Sequence, residues 1–166
     1  MNRPSAEQII ERFNMKPLPE EGGYFAETYR SSEMLDHLPG RYPNSRCIGT
    51  AIFYLLTSDT VSKFHRLRSD EMWHFYQGDA VDLVMLKAYG DAEVVRLGAD
   101  IMNGERSQVV VPHGVWQGAR LVEVGSWALM GCTVAPGFEF VDREMTASET
   151  LMKSHPKWKT WIELLG

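Results

Sequence analysis

The chain has 166 residues, enough for one domain that buries about 70% of its unfolded surface. Its 44% hydrophobic and 23% charged residues are ordinary for a globular protein, and no apolar run approaches the roughly 20 residues of a membrane-spanning helix. With 17 basic against 22 acidic side chains, a net charge of −5 and no basic stripe, neither nucleic acid nor membrane is an expected partner.

The first residues, Met1-Asn2-Arg3-Pro4-Ser5, lead into a polar helix and not into a signal-peptide apolar region, so the expected location is cytoplasmic. Ser5 as N-cap and Gln8 three residues later form a capping box, and Ile9, Ile10 and Phe13 give the helix an apolar side. Pro17 and Pro19 stop it, which predicts a helix over 5–14. Tyr24 to Arg30 is rich in aromatic and β-forming residues and reads as a strand. Ser31 to Ser45, with Pro39-Gly40 and Pro43-Asn44, reads as a long loop.

Cys47 to Thr57 is a β-rich apolar run. Short strands are then predicted at Val61 to His65, Glu71 to Gln77, Val81 to Tyr89 and Glu93 to Leu97. Further ones fall at Gln108 to Val111, Trp116 to Val122 and Ser126 to Val134. Turn signals at Gly78-Asp79, Gly90-Asp91, Asn103-Gly104 and Gly125-Ser126 separate them. Many short strands at this spacing argue for a sandwich or barrel. In the tail, Thr146 and Glu149 form a second capping-box pattern, and Trp158, Trp161, Ile162 and Leu165 recur at helical spacing. A helical segment over 146–165 is therefore expected to cover a face or an end of the β core. No repeat or linker divides the chain, so residues 1–166 read as one domain with its core at about 20–142. Cys47 and Cys132 sit in strand segments without CxxC spacing and read as buried thiols.

Chemistry concentrates in Phe64-His65-Arg66-Leu67-Arg68-Ser69-Asp70-Glu71-Met72-Trp73-His74. His65 ends one strand and Glu71 opens the next, so a short turn lets both side chains converge inside a barrel. Val111-Pro112-His113-Gly114-Val115-Trp116-Gln117 has the look of a second strand-turn-strand that returns Gln117 to the same interior. If Glu71 points inward, so do Trp73 and Phe75, while His74 faces out. With Trp116, these rings would offer flat walls to a planar ring or a sugar face, although Phe75 also reads as plain core filling. Arg66 and Arg68 alternate with His65 and Leu67 and should face away from the interior, as solvated surface or as a rim able to attract an anion. His113 reads as an exposed turn residue.

These residues resemble the cupin superfamily. His65, Glu71 and Gly78 match the first cupin motif, H-x-H, three or four residues, E, six residues, G. Pro112 and Gly114 match the second, P-x-G-x-x-H. A closer resemblance is to a small cupin family of uncharacterised function. It rests on Glu21-Gly22-Gly23-Tyr24, on Phe64-His65-Arg66 with Ser69-Asp70-Glu71 and Trp73-His74, and on Gly131-Cys132-Thr133-Val134-Ala135-Pro136-Gly137-Phe138. The resemblance implies a mainly β double-stranded β-helix, the cupin-type jelly-roll barrel, with short N- and C-terminal helices, and it implies a homodimer. Sheet edges such as Tyr24 to Arg30 are where such a pairing is expected.

The departures shape the functional expectation. Metal cupins present three histidines and a glutamate, but here Leu67 stands at the second histidine and Gln117 at the third. A metal on His65, Glu71 and Gln117 would lean on a neutral amide. No cofactor is therefore expected, beyond a divalent transition metal at low occupancy. The leading expectation is a module binding a small polar ring compound (sugar-, nucleotide- or base-like) in the barrel, with Trp73, Phe75, Trp116 and Gln117 as ligand-binding residues. The alternative is an isomerase or epimerase with His65 as general base beside Glu71, or a weakly metallated enzyme. Cupin-fold sugar-nucleotide epimerases use a histidine at the position His65 matches, without a catalytic metal.

Overall fold

The computed structural model describes residues 3–122 and 124–166. Helix α1 (Ala6–Phe13) begins as the capping box requires. Ser5 Oγ accepts from the Gln8 amide at 3.3 Å, and Gln8 Oε1 accepts from the Ser5 amide at 2.9 Å. It ends at Asn14, in the left-handed conformation with φ 49°, which asparagine tolerates better than most residues.

The strands follow in chain order: β1 (Lys16–Pro17), β2 (Tyr24–Arg30), β3 (Met34–Leu35), β4 (Arg46–Cys47), β5 (Thr50–Thr57), β6 (Ser62–Leu67), β7 (Asp70–Gly78), β8 (Val81–Leu86), β9 (Ala92–Leu97), β10 (Gln108–Val111), β11 (Trp116–Leu121), β12 (Trp127–Ala135) and β13 (Arg143–Met145). They build a six-stranded sheet, ordered β1-β2-β5-β12-β7-β10, and a five-stranded sheet, ordered β13-β6-β11-β8-β9, while β3 and β4 pair separately. From β5 to β8, and again from β9 to β13, each strand lies in the opposite sheet from the one before it. Two antiparallel sheets wound in this way form a jelly roll.

Periodicity and covering explain the layers. In β5, Tyr54 and Leu56 face the space between the sheets, whereas Leu55 faces out against Ile9 and Met15 beside α1. The apolar run thus serves a strand covered on both faces. In β8, Leu83 and Met85 face inward, and Val84 and Leu86 lie under Leu151, Ile162 and Leu165 of the C-terminal segment. That segment is two short helices, α2 (Ser148–Ser154) and α3 (Lys159–Leu164), with a 3-10 turn from Pro156 between them.

Three expectations change. Helix α2 starts from Ala147 without a side-chain cap, so Thr146 does not close a capping box; an acidic residue in the first turn, Glu149, favours that end instead. The strand expected to reach Tyr89 stops at Leu86, because Ala88–Gly90 forms a 3-10 turn with Tyr89 at φ 61°. The expected loop over 31–45 contains β3. Both cysteines are buried and free. Among the described residues no helix is long and apolar enough to cross a membrane.

Candidate functional site

β6 and β7 belong to opposite sheets, and Arg68-Ser69 is the corner between them. Tyr42 Oη holds this corner through the Arg68 carbonyl at 2.9 Å and Ser69 Oγ at 2.9 Å. Across the corner His65 and Glu71 face each other, with His65 Nε2 at 4.0 Å from Glu71 Oε2. A third group completes the cluster: Glu21 Oε1 lies 3.8 Å from the same imidazole nitrogen. These separations are charge contacts, too long for hydrogen bonds.

Each group is fixed from behind. His65 Nδ1 meets the Lys63 carbonyl at 2.8 Å, which makes that nitrogen the protonated one and aims Nε2 at the two carboxylates. Glu21 accepts from Ser62 Oγ at 3.2 Å and from Arg143 Nη1 at 3.3 Å. It precedes Gly22, whose φ of 100° and close approach to the Val61 carbonyl leave no room for a Cβ. The Gly22 carbonyl accepts from Tyr54 Oη at 2.9 Å. Glu71 Oε2 accepts from Gln117 Nε2 at 2.5 Å, and Gln117 Oε1 accepts from the Trp73 indole at 2.8 Å.

The electrostatics follow from burial and proximity. Burial pulls the His65 imidazolium down, but the charges of Glu21 and Glu71 outweigh it and push its pKa up to about 9. His65 is therefore a cation at neutral pH. Burial pushes the Glu21 carboxyl up, against the pull of His65. It also drives the Tyr54 hydroxyl and the Cys132 thiol well above their ordinary ranges, so neither supplies an anion.

The cluster forms the polar floor of a cavity with about 690 Å³ of free space, its open mouth included. Its apolar walls come from Leu18, Phe25, Ile52, Val134, Phe138 and Phe140. Phe138 and Phe140 meet edge to face at 5.2 Å. At the mouth, Arg30 bonds Glu27 at 2.8 Å, Glu139 at 2.9 Å and the Phe138 carbonyl at 3.2 Å. This anchors the Phe138 loop to β2.

Of the residues expected at the site, His65 and Glu71 line this cavity. Gln117 and Trp73 stand behind Glu71 as buried supports. Phe75 packs against the core between the sheets and is absent from the lining. Trp116 is a correction. It alternates with the inward Gln117 and so lies on the outer face, packed near the C-terminal helices with Arg66 4.6 Å above its ring. His74 faces outward as expected, bonding Thr133 Oγ1 at 3.0 Å and Gln108 at 3.1 Å. Glu21, Phe25, Phe138 and Phe140 went unassigned from sequence. Glu21 and Phe138 do fall inside the family-like segments, and that was their only signal.

A jelly roll that encloses a histidine and a glutamate on facing strands defines a cupin. The chain belongs to the family described as Cupin superfamily (DUF985), whose model matches residues 7–146. It is 34% identical over 144 residues to the uncharacterized protein YML079W of Saccharomyces cerevisiae, covering 80% of this chain and 71% of that one. A hypothetical protein from Leishmania major superposes with a TM-score of 0.90 at 31% identity, covering 98% of this chain and 99% of the other. Protein SO0799 from Shewanella oneidensis superposes at 0.87 with 33% identity, covering 99% and 98%. Oxalate decarboxylase from Bacillus subtilis, at 16% identity and a TM-score of 0.55 over 93% of this chain and 38% of its own, shares the fold alone.

The cupin fold can hold metals, but the donor set here departs from three histidines and a glutamate: one imidazole stands between the carboxylates of Glu21 and Glu71. Leu67 lines the cavity where a second histidine would stand. The Gln117 oxygen is engaged by the Trp73 indole, and its nitrogen end faces Glu71. Among the described residues no three His, Cys, Asp or Glu side chains converge as a metal cage.

Proposed function

We propose that the barrel binds a small polar ring compound, sugar-, nucleotide- or base-like, with the ring between apolar walls and its polar edge on Glu21, His65 and Glu71. The observation that carries this reading is the single imidazole between two carboxylates at the floor of an otherwise apolar cavity. An N–H donor beside carboxylate acceptors selects a ligand edge with both acceptor and donor groups, such as a vicinal diol or a ring amide. Phe25, Phe138 and Phe140 take the wall role first expected of Trp116 and Phe75. The protein is read as cytoplasmic, with free buried thiols, and as acting on a small molecule and not on nucleic acid or membrane.

A second reading is catalytic and rests on the opposed displacement of two neighbours. The charges of Glu21 and Glu71 raise His65, which suits it to donate a proton, and burial raises Glu21, which makes its carboxylate a stronger proton acceptor. This reverses the role first expected of His65. Acid and base stand 3.8 Å apart on one side of the cavity. That suits a proton shift between adjacent atoms on one face of a substrate, an isomerisation or tautomerisation.

The test is a thermal-shift screen of sugars, nucleosides and bases against the wild type and His65→Ala. A ligand at 100 times its Kd adds about 2.7 kcal/mol of apparent stability. A hit that stabilises the wild type and not the folded variant supports the reading. Equal stabilisation of both refutes it, and turnover of a hit by the wild type alone selects the catalytic version.

A further inference from the structure

Outside the barrel, beside the Arg68-Ser69 corner, lies a second cleft with about 730 Å³ of free space, its open solvent side included. Its lining is cationic for a chain of net charge −5: Arg41, Arg66, Arg68 and Arg143 against Asp142 and Glu144, with His113 beside them. Leu67 lines both this cleft and the barrel cavity, so the two are neighbours.

The pairing of these charges separates two arginines from the rest. Arg66 forks onto Glu144 with both bonds at 2.9 Å. Arg143 is engaged by Glu21 and Glu20. Both oxygens of Asp142 are taken by the buried Arg46 guanidinium, at 2.5 and 2.6 Å. Arg68 Nη1 is left 3.9 Å from Asp142 Oδ1, beyond hydrogen-bond reach. Arg41 has no carboxylate within ion-pair distance among the described residues. Its Nε instead donates to the Arg68 carbonyl at 2.7 Å, and its head lies 4.9 Å over the Tyr42 ring. That bond and that stacking hold the Arg41 head in place with its two terminal nitrogens unengaged. His113 is anchored through Nδ1 to Asp70 at 2.9 Å, and its Nε2 has no partner among the described residues.

We propose that this cleft is an anion site for a phosphate dianion, free or carried by an ester, gripped by Arg41 and Arg68 with His113 at its edge. Guanidinium groups bond phosphate oxygens in a planar two-point fork, and Arg41, with no carboxylate partner among the described residues, and Arg68, whose one carboxylate contact is a 3.9 Å charge contact to an Asp142 already forked by Arg46, match a double negative charge. Holding Arg41 in advance reduces the ordering that binding would otherwise require.

The experiment is calorimetric titration of the full chain with inorganic phosphate and, separately, with glucose 1-phosphate, near pH 7.5 and at low ionic strength, where screening is weak. The expected result is one saturable site per chain. Affinity should fall tenfold or more in Arg68→Gln and in Arg41→Gln, and change by less than twofold in Arg96→Gln, a surface arginine on β9 paired with Asp82. Tighter binding of the ester assigns the ester as ligand, and equal binding assigns the free ion. Circular dichroism checks that each variant is folded, and the two independent variants keep the test decisive if one is not. No saturable binding of either probe, or binding unchanged in both variants, overturns the proposal.

Discussion

The Trp73 indole N–H donates to Gln117 Oε1 at 2.8 Å, and this contact decides which end of the Gln117 amide faces Glu71. With its oxygen held, the amide can only turn its N–H toward the carboxylate. Glu71 is thereby presented to His65 as an oriented acceptor, and Gln117 is withdrawn from any role as a ligand.

Trp73→Phe keeps the ring and removes the donor. It leaves the Gln117 oxygen without its partner in a dry interior, a cost of about 1–3 kcal/mol. Urea denaturation should show a lower midpoint with an unchanged slope. An unaltered midpoint would mean that the indole bond does not order the amide.

Protein purified without added metal should contain well under one transition-metal ion per chain by elemental analysis. The double variant Leu67→His/Gln117→His, which supplies the two missing imidazoles, should raise that content toward one, because nitrogen donors would replace a methyl group and an engaged amide. Stoichiometric metal in the wild type, lost in Glu71→Ala, would instead establish a metal protein.

His65 makes stability depend on pH. Its pKa is about 9 in the folded state against an ordinary 6.5. Its contribution is therefore complete below about 6.5 and is lost as pH rises through about 9. The full span corresponds to at most roughly 3–4 kcal/mol. Denaturation at pH 6 and pH 10 should show a larger fall in the wild type than in His65→Gln. Parallel losses in the two proteins would contradict the charged imidazole.

Arg46→Ala removes the fork on Asp142 and leaves that buried carboxylate only the longer 3.9 Å contact to Arg68, in a pair whose side chains are both only 2% exposed. Breaking a buried pair from one side costs about 3–5 kcal/mol. The double variant Arg46→Met/Asp142→Leu removes both charges and should lose less than the single one in the same denaturation assay.

A homodimer is expected from the open edge of β2. The two-residue β1 pairs only with Tyr24 and Phe25, so among the described residues no strand pairs with Ala26 to Arg30 on that side of the sheet. Light scattering at micromolar concentration should give twice the chain mass. A monomer mass throughout would show that the exposed edge is tolerated.

Local chemistry determined much of this protein. Ser5 and Gln8 set the start of α1 through contacts three residues apart, and turn residues with β-rich runs delimited most strands. The His65–Glu71 spacing marked the pair that the cavity brings together, because alternation on a strand is a property of the strand itself. The tertiary structure decided the rest. Glu21 reaches His65 from 44 positions earlier in the chain, and Phe138 and Phe140 arrive from more than 70 positions later, in loops that no periodicity assigns to a face. Trp116 sits beside Gln117 in sequence but on the opposite face, because Gln117 points inward and strand alternation sends its neighbour out. Whether His65 is base or acid was likewise closed to sequence, because its charge depends on burial and on two carboxylates that come near only when the sheets close over one another.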